Sequence, residues 1–486
     1  MTRCCSPDLR WDQGLCKNSF TAQRFNYGCS ITIFLKLSTA TPLRAYEERA
    51  LRLAVREIPD LSLESYRPIK RVAMLVVHSN PLAEPGAGDA GGMTIYVRQV
   101  AASLALRGIE VDIFSRRDSE AGPSEVLIQP GVRVILVDAG APGLAKDQIP
   151  AHLPEFTSNL LSLVERSGVH YDIVHSHYWL SGRVAAIVSA RWSVPFVHTF
   201  HTLGREKNRV MRPGDQPESE GRLAGEARVI ADACAIVAST AEERKALLDL
   251  YAAHPERIHL IPPGVDHQRF RPGDRSEAKR KLGLEGKKVM LFVGRLQPLK
   301  AADTAIRALG HLVDWGRVEL DEIRLVIVGG SSGPSGIGEV EKLGKLAADL
   351  GLTSAVQFVP AQPHDRLPGF YRAADVCLVP SHTESFGLVA LEAQASGVPV
   401  VGSAVGGLRW IIKHNLTGFL VRPGASQSFA ERAWQVLSDP RLADSMGRLA
   451  VCSSGDFSWD RSAGELHELY SAGVRDGDCR WSAQSN

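Results

Sequence analysis

The stretch KRVAMLVVHSNPLAEPGAGDAGGMTIYVRQVAASLALRGIEVDIFSRR, residues 70–117, changes its hydrophobic rhythm twice. It opens as a continuous apolar, β-branched run, the pattern of a parallel strand buried on both faces. A glycine-rich loop follows, then a helix with an apolar stripe, a glycine stop and a second strand. That order is a βαβ unit, and it predicts an open parallel sheet with helices on both sides.

Outward from this unit the same alternation continues. Strand-like runs recur at VRVILVDA, YDIVHSHY, PFVHTFH, AIVAST and RIHLIPPG, with helical patterns between several of them. They predict a first doubly wound domain over residues 70–262. IPPGVDHQRFRPGD reads as a hinge linker. After it the pattern restarts with KVMLFVGRL, IRLVIVGG, VQFVPA, DVCLVPS and PVVGSAVGG, a second doubly wound domain over 263–450. The fold class is α/β: two Rossmann-like domains that face each other across a cleft at their strand C-termini. Residues 451–486 read as a helix, SAGELHELYSAG, that packs back on the first domain, then a loose tail. Residues 1–69 read as a partly disordered appendage with one amphipathic helix, PLRAYEERALRLAVREI.

A chain of 486 residues is too long for one ordinary core, which fits this division. Its net charge of +2 supplies no field for nucleic acid or a membrane surface. No apolar run approaches the length of a membrane span. The eight cysteines form no CxxC pair, so neither a zinc site nor a disulfide scaffold is indicated. CSITIFLKLSTA is too short and lies too late for an export signal. The expected compartment is the cytoplasm.

The chemistry gathers at strand exits. In VPSHTESFGLVALEAQASGVPVV, residues 379–401, Glu384 follows a strand and Glu392 lies eight positions later. A helix starting near Ser385 or Phe386 would aim its unpaired N–H groups and partial positive charge at an anion. Glu392 would then lie ~12 Å further along at 1.5 Å per residue. That span suits a nucleotide sugar, with sugar hydroxyls at Glu384, a diphosphate at the helix mouth and ribose hydroxyls at Glu392. A solvated glutamate is the plainer reading of Glu392 taken alone. In FVGRLQPLK, Arg295 and Lys300 would neutralise a departing diphosphate. GAGDAGGM leads into a helix and lets backbone approach a ligand closely. It is not GxGxxG, which argues against a nicotinamide cofactor. His175, His177, His198 and His201 suggest a metal, but no carboxylate or cysteine accompanies them at ligand spacing.

These residues resemble the donor site of the retaining, two-domain GT-B glycosyltransferases of the sucrose-synthase-like family, over about residues 70–470. The resemblance is closest to the branch of that family that moves N-acetylglucosamine from UDP-GlcNAc to 1D-myo-inositol 3-phosphate, giving an α-linked precursor of mycothiol. It implies His201, Arg295, Lys300 and Glu384 as catalytic residues. The donor would meet Glu84, Pro85, Gly92, Arg295, Lys300, Gln362, Glu384 and Glu392. The acceptor would meet His78, Asp89, Ala90, Gly91, Gly92, Met93 and Thr94. Its phosphate would be gripped by Lys146, Tyr178, Thr202 and Arg222, two cations and two hydroxyls. No cofactor is required for catalysis. A structural Mg²⁺ is implied at the backbone of Tyr371, Arg372 and Ala374. A homodimer is compatible with the pattern. Thr94 and Glu84 depart from the Asn and Gln usual in that branch. Another retaining GT-B transferase, of mannosyl or sucrose type, and a nucleotide-sugar epimerase are the alternatives.

Overall fold

The computed structural model describes residues 68–86, 90–211, 216–330 and 338–475. The appendage up to residue 67 and the tail from 476 lie outside these residues.

The first sheet has eight strands: β1 (Arg71–Leu75), β2 (Glu110–Arg116), β3 (Glu125–Gln129), β4 (Val132–Val137), β5 (Ile173–His177), β6 (Phe196–Thr199), β7 (Ala235–Ala238) and β8 (Ile258–Leu260). Their order is β3-β4-β2-β1-β5-β6-β7-β8. All pairs are parallel except β3 with β4. Sequence periodicity missed β3. It is an edge strand, exposed or half-buried at every residue and joined to β4 by a tight Pro130-Gly131 turn, so it lacks a buried apolar run.

The second sheet has six strands, all parallel: β9 (Lys288–Val293), β10 (Ile323–Val328), β11 (Val356–Val359), β12 (Val376–Val379), β13 (Val400–Ser403) and β14 (Gly418–Val421). Their order is β11-β10-β9-β12-β13-β14. In both sheets the order reverses beside the first strand of the domain, between β1 and β5 and between β9 and β12. Ligands of open α/β sheets bind outside the strand C-termini at such reversals.

Each sheet is covered on both faces by a hydrophobic cluster, so β1, β9 and β12 are almost fully buried, as their unbroken apolar runs require. The first domain also buries Asp112, which Arg133 clasps with two nitrogens at 2.7 Å and the Tyr171 hydroxyl reaches at 2.7 Å.

Six helices position the site: α1 (Gly92–Ala105), α2 (Tyr178–Trp192), α3 (Glu220–Asp232), α4 (Leu367–Ala373), α5 (Leu388–Ala395) and α6 (Trp459–Arg475). The chain returns from the second domain through α6. Its Trp459, Ala463, Leu466 and Tyr470 form one stripe, buried with Tyr96, Val97 and Val100 of α1. Linker and return segment cross at Gly264, where a Cβ would lie 2.1 Å from the Trp459 nitrogen. Only glycine fits that crossing.

Candidate functional site

The second domain supplies a compact charged pair. Arg295 leaves the end of β9 and Glu384 follows β12, so the two flank that sheet's reversal. Lys300 donates to Glu384 Oε2 at 2.6 Å, and the Ser381 hydroxyl approaches the same oxygen at 3.4 Å.

The helix after Glu384 begins later than expected. Gly387, at φ +105°, caps α5, and the first helical residue is Leu388. The delay follows from that left-handed backbone, which glycine adopts without strain and which holds Ser385 and Phe386 in the loop. Glu392 therefore sits about one turn into α5 rather than two. The ~12 Å offset expected for a continuous helix does not apply.

Glu392 is not a solvated glutamate. It is 4% exposed. It accepts hydrogen bonds from the Tyr371 hydroxyl at 2.8 Å and from His364 Nε2 at 2.7 Å. Burial, then the Glu392 charge, raises the Tyr371 phenol well above its ordinary pKa and keeps it a donor. A carboxylate accepts about four hydrogen bonds, so two positions remain for hydroxyls.

The first domain builds its half differently. Lys146 lies 4.2 Å from the centre of the Tyr178 ring, and the Arg222 guanidinium lies 5.1 Å from it. Arg222 Nη2 donates to Thr202 Oγ1 at 3.0 Å and to the Thr202 carbonyl at 3.2 Å. The four residues expected to grip a phosphate thus converge from two loops, Lys146 and Thr202, and from the first turns of two helices, Tyr178 and Arg222. Tyr178 contributes its ring face rather than its hydroxyl, which bonds with the Trp179 side chain.

Arg222 is also not an open cation. Its Nε donates to Glu226 Oε1 at 2.8 Å, and its Nη1 pairs with Glu218 Oε2 at 2.9 Å. Glu226 is fully buried and also accepts from the Gly204 N–H and the Tyr251 hydroxyl. Lys207 pairs with the other oxygen of Glu218. None of Lys207, Glu218, Glu226, Tyr251 or His364 stands out in the sequence. Glu218, Arg222 and Glu226 do recur at i, i+4 and i+8, the spacing of a helical charge ladder.

Beneath the cleft lies a layer of neutral imidazoles. His175 bonds to the Tyr470 hydroxyl at 2.6 Å and to Thr199 Oγ1 at 2.9 Å, and His198 to Ser176 Oγ at 2.7 Å. Burial lowers the pKa of His175 and His201 to about 3. His177 and His198 are likewise held well below the ordinary value, first by burial and then by neighbouring histidines. Burial, then Lys146, His201, Arg222 and Arg295, does the same to His78. His78 therefore senses both halves of the cleft. Among the described residues no group of three His, Cys, Asp or Glu is placed to hold a metal ion.

His177 Nδ1 and His201 Nε2 are 3.1 Å apart, and His177 Nε2 is buried without a partner. A bare lone pair there costs less than an orphaned N–H. The network therefore assigns the His177 proton to Nδ1, donating to His201. A neutral His201 then carries its own proton on Nδ1 and is a donor at that atom. Both Tyr178 (φ +70°) and His201 (φ +61°) hold a left-handed backbone that non-glycine residues rarely adopt.

Other expected residues divide. Gly92, Met93 and Thr94 form the first turn of α1, whose backbone N–H groups have no partner within the helix. A Cβ on Gly91 would come within 3.4 Å of Arg295 Nε, so this turn abuts the second domain. Ala90 is buried. The Thr94 side chain is buried, with its hydroxyl 3.0 Å from Ser79 Oγ. Asp89 lies outside the described residues. Glu84 is exposed, and Pro85 precedes Gly86, whose carbonyl oxygen would lie 3.1 Å from a Cβ on Gly330. The Gln362 side chain folds back on the Pro360 carbonyl at 3.0 Å, which leaves its backbone as the available reader. Tyr371, Arg372 and Ala374 lie at the C-terminal end of α4, where carbonyls carry partial negative charge. The Tyr371 carbonyl already accepts from the Ala374 N–H at 3.0 Å, and Asp375 is engaged by Lys279 and Arg275.

Residues 90–269 match the family described as Glycosyltransferase Family 4, and residues 274–450 match Glycosyl transferases group 1. The chain is 47% identical to the D-inositol 3-phosphate glycosyltransferase of Nocardia farcinica (strain IFM 10152), over 83% of this chain and 90% of that protein. It is 48% identical to the protein of the same name from Acidothermus cellulolyticus (strain ATCC 43068 / DSM 8971 / 11B), over 82% and 90%. Among solved structures it is similar to sucrose-phosphate synthase from Thermosynechococcus elongatus, with a TM-score of 0.76 and 32% identity over 82% of this chain and 98% of that one.

Proposed function

From the fact that this chain belongs to the two-domain GT-B glycosyltransferases of group 1, and from the make-up of its cleft, we propose that it transfers N-acetylglucosamine from UDP-GlcNAc to 1D-myo-inositol 3-phosphate with retention. The product is the α-linked N-acetylglucosaminyl-inositol phosphate that precedes mycothiol. The single observation that carries the acceptor reading is the convergence of Lys146, Tyr178, Thr202 and Arg222 on the first domain, beside the turn of α1 that abuts Arg295. Two cations and a hydroxyl are the groups a phosphate monoester asks for. The relatives' names support the same acceptor.

In this reading Glu392 takes the ribose hydroxyls. The first-turn N–H groups of α5, Arg295 and Lys300 neutralise the leaving diphosphate. Glu384 orients the sugar and is itself held by Lys300. His201, neutral and with a proton on Nδ1, donates a hydrogen bond on the sugar side and is no general base. The bond from the anomeric carbon to the UDP oxygen breaks, and the acceptor oxygen bonds to that carbon on the same face. The acceptor's proton passes to the departing phosphate oxygen. No cofactor enters these steps. The C-terminal carbonyls of α4 would hold a structural Mg²⁺, with water completing its shell. The protein is expected to act in the cytoplasm. Among the described residues no helix is long and apolar enough to cross a membrane.

The test is UDP release over a panel of nucleotide sugars and acceptors, with the product's anomeric configuration read by NMR. UDP-GlcNAc with inositol phosphate should give the highest rate and an α product. A β product, or a preferred acceptor without a phosphate, would overturn the reading.

A further inference from the structure

We propose that Glu218 is an acceptor-specificity residue: its carboxylate occupies the anion seat on Arg222 and is displaced by the acceptor's phosphate. This rests on the acceptor reading above and adds a residue to it.

The argument starts from the geometry of Arg222. All three guanidinium nitrogens are engaged, Nε by Glu226, Nη2 by Thr202 and Nη1 by Glu218. Four of the five guanidinium N–H groups are taken, two of them by the Thr202 hydroxyl and carbonyl, and one Nη1 N–H remains. A phosphate that takes more than that one contact on this buried cation must replace one of those partners. Glu226 cannot leave. Its side chain is fully buried, and it also binds the Gly204 N–H and the Tyr251 hydroxyl. Thr202 is itself an expected ligand contact. Glu218 alone is free to go: its side chain is 23% exposed, at the loop entry to α3. Its backbone N–H is pinned by Asn208 Oδ1 at 2.8 Å, so the side chain can swing out without moving the chain.

The chemistry matches as well. Glu218 places one oxygen on Arg222 and the other on Lys207, the two-cation arrangement a phosphate would take. Burial pushes the Glu218 carboxyl up, and Arg222 and Lys207 more than reverse this, so it is held as a carboxylate. A dianionic phosphate can displace a monoanionic carboxylate from two cations. A neutral polyol cannot. The seat would therefore stay shut to unphosphorylated acceptors, and selectivity would come from the cost of displacing Glu218 as much as from the bonds the phosphate then makes to Arg222 and Lys207.

Glu218→Gln tests this, with Glu218→Ala as a second variant lacking the amide. Inorganic phosphate is the first probe, titrated calorimetrically into the full chain. Both variants should bind it on the order of ten-fold more tightly than wild type. The acceptor KM for inositol phosphate should fall alongside, with kcat and donor KM little changed. Phosphate affinity that is unchanged or weaker in both variants would overturn the proposal. The phosphate titration does not depend on which acceptor is turned over, so failure of the acceptor reading would show separately, as wild-type indifference to acceptor phosphorylation.

Discussion

The two halves of the cleft solve the problem of holding a charged ligand in opposite ways. The second domain keeps one short pair at its mouth, Lys300 with Glu384, and one buried carboxylate, Glu392, fed by neutral donors. Its groups are already arranged for a ligand to add to. The first domain buries its arginine between two carboxylates, so an anion there competes with groups already bound. The difference teaches that one reaction cleft can combine an additive site with an exchange site. Substitutions in the two halves should therefore fail in different ways.

The largest effect is expected in the second domain. Lys300→Ala removes a cation from the leaving group, and kcat should fall ~10²–10³-fold, the range seen when one oxyanion donor is removed. Steady-state UDP release measures this, and a loss under ten-fold would mean that Lys300 serves only to hold Glu384. Next comes Glu392→Ala, which should weaken UDP and intact donor alike by about 10- to 150-fold, the worth of one or two charge-assisted hydrogen bonds. Calorimetry with free UDP checks it. Unchanged affinity would remove Glu392 from the ribose site and leave it as a structural partner of Tyr371 and His364.

The halves also differ in how far the sequence reveals them. The second domain was more legible because Arg295, Lys300 and Glu384 lie in short motifs at strand exits, where the strand pattern places them, whereas Glu392 lies inside the following helix. One local feature there is hidden from the apolar pattern: the left-handed backbone of Gly387 delays the helix to Leu388. The domain architecture was legible for the same reason, since buried parallel strands write unbroken apolar runs. The edge strand Glu125–Gln129 writes none. In the first domain the expected phosphate residues converge, but their partners were invisible. Glu218 and Glu226 have the spacing of surface charges on a helical ladder with Arg222, and Lys207 lies on a separate short helix. Only the packing of Gly204 and Tyr251 against Glu226 shows that the ladder faces inward. The inward turn of Thr94 onto Ser79 was hidden in the same way.

A smaller effect sharpens the exchange site. Arg222→Ala would strand Glu226 as an unpaired buried charge and confuse binding with stability. Arg222→Lys keeps the charge and loses the fork, and should raise the acceptor KM about ten-fold while the donor KM moves little. A parallel rise in donor KM would merge the two halves and break the comparison.

The smallest effect is on stability against pH. His175 and His201 titrate at about 3 when folded and near 6.5 when unfolded. Their neutral forms therefore stabilise the fold fully above about pH 6.5, and that contribution is lost as pH falls towards 3. Thermal unfolding followed over pH 7 to 4 should show a slope of up to about 1.4 kcal/mol per pH unit for each such histidine. His175→Gln should reduce it by one histidine's share. An unchanged slope in that variant would mean that His175 carries no proton linkage.

The most direct test of the central claim, that the first domain recognises a phosphate while the second recognises the nucleotide sugar, is the ratio of kcat/KM for 1D-myo-inositol 3-phosphate to that for myo-inositol, with UDP-GlcNAc as donor. The account predicts a ratio of at least about 100, from the loss of one or two charge-assisted contacts in the unphosphorylated acceptor. A ratio near one, at equal UDP release, would contradict it.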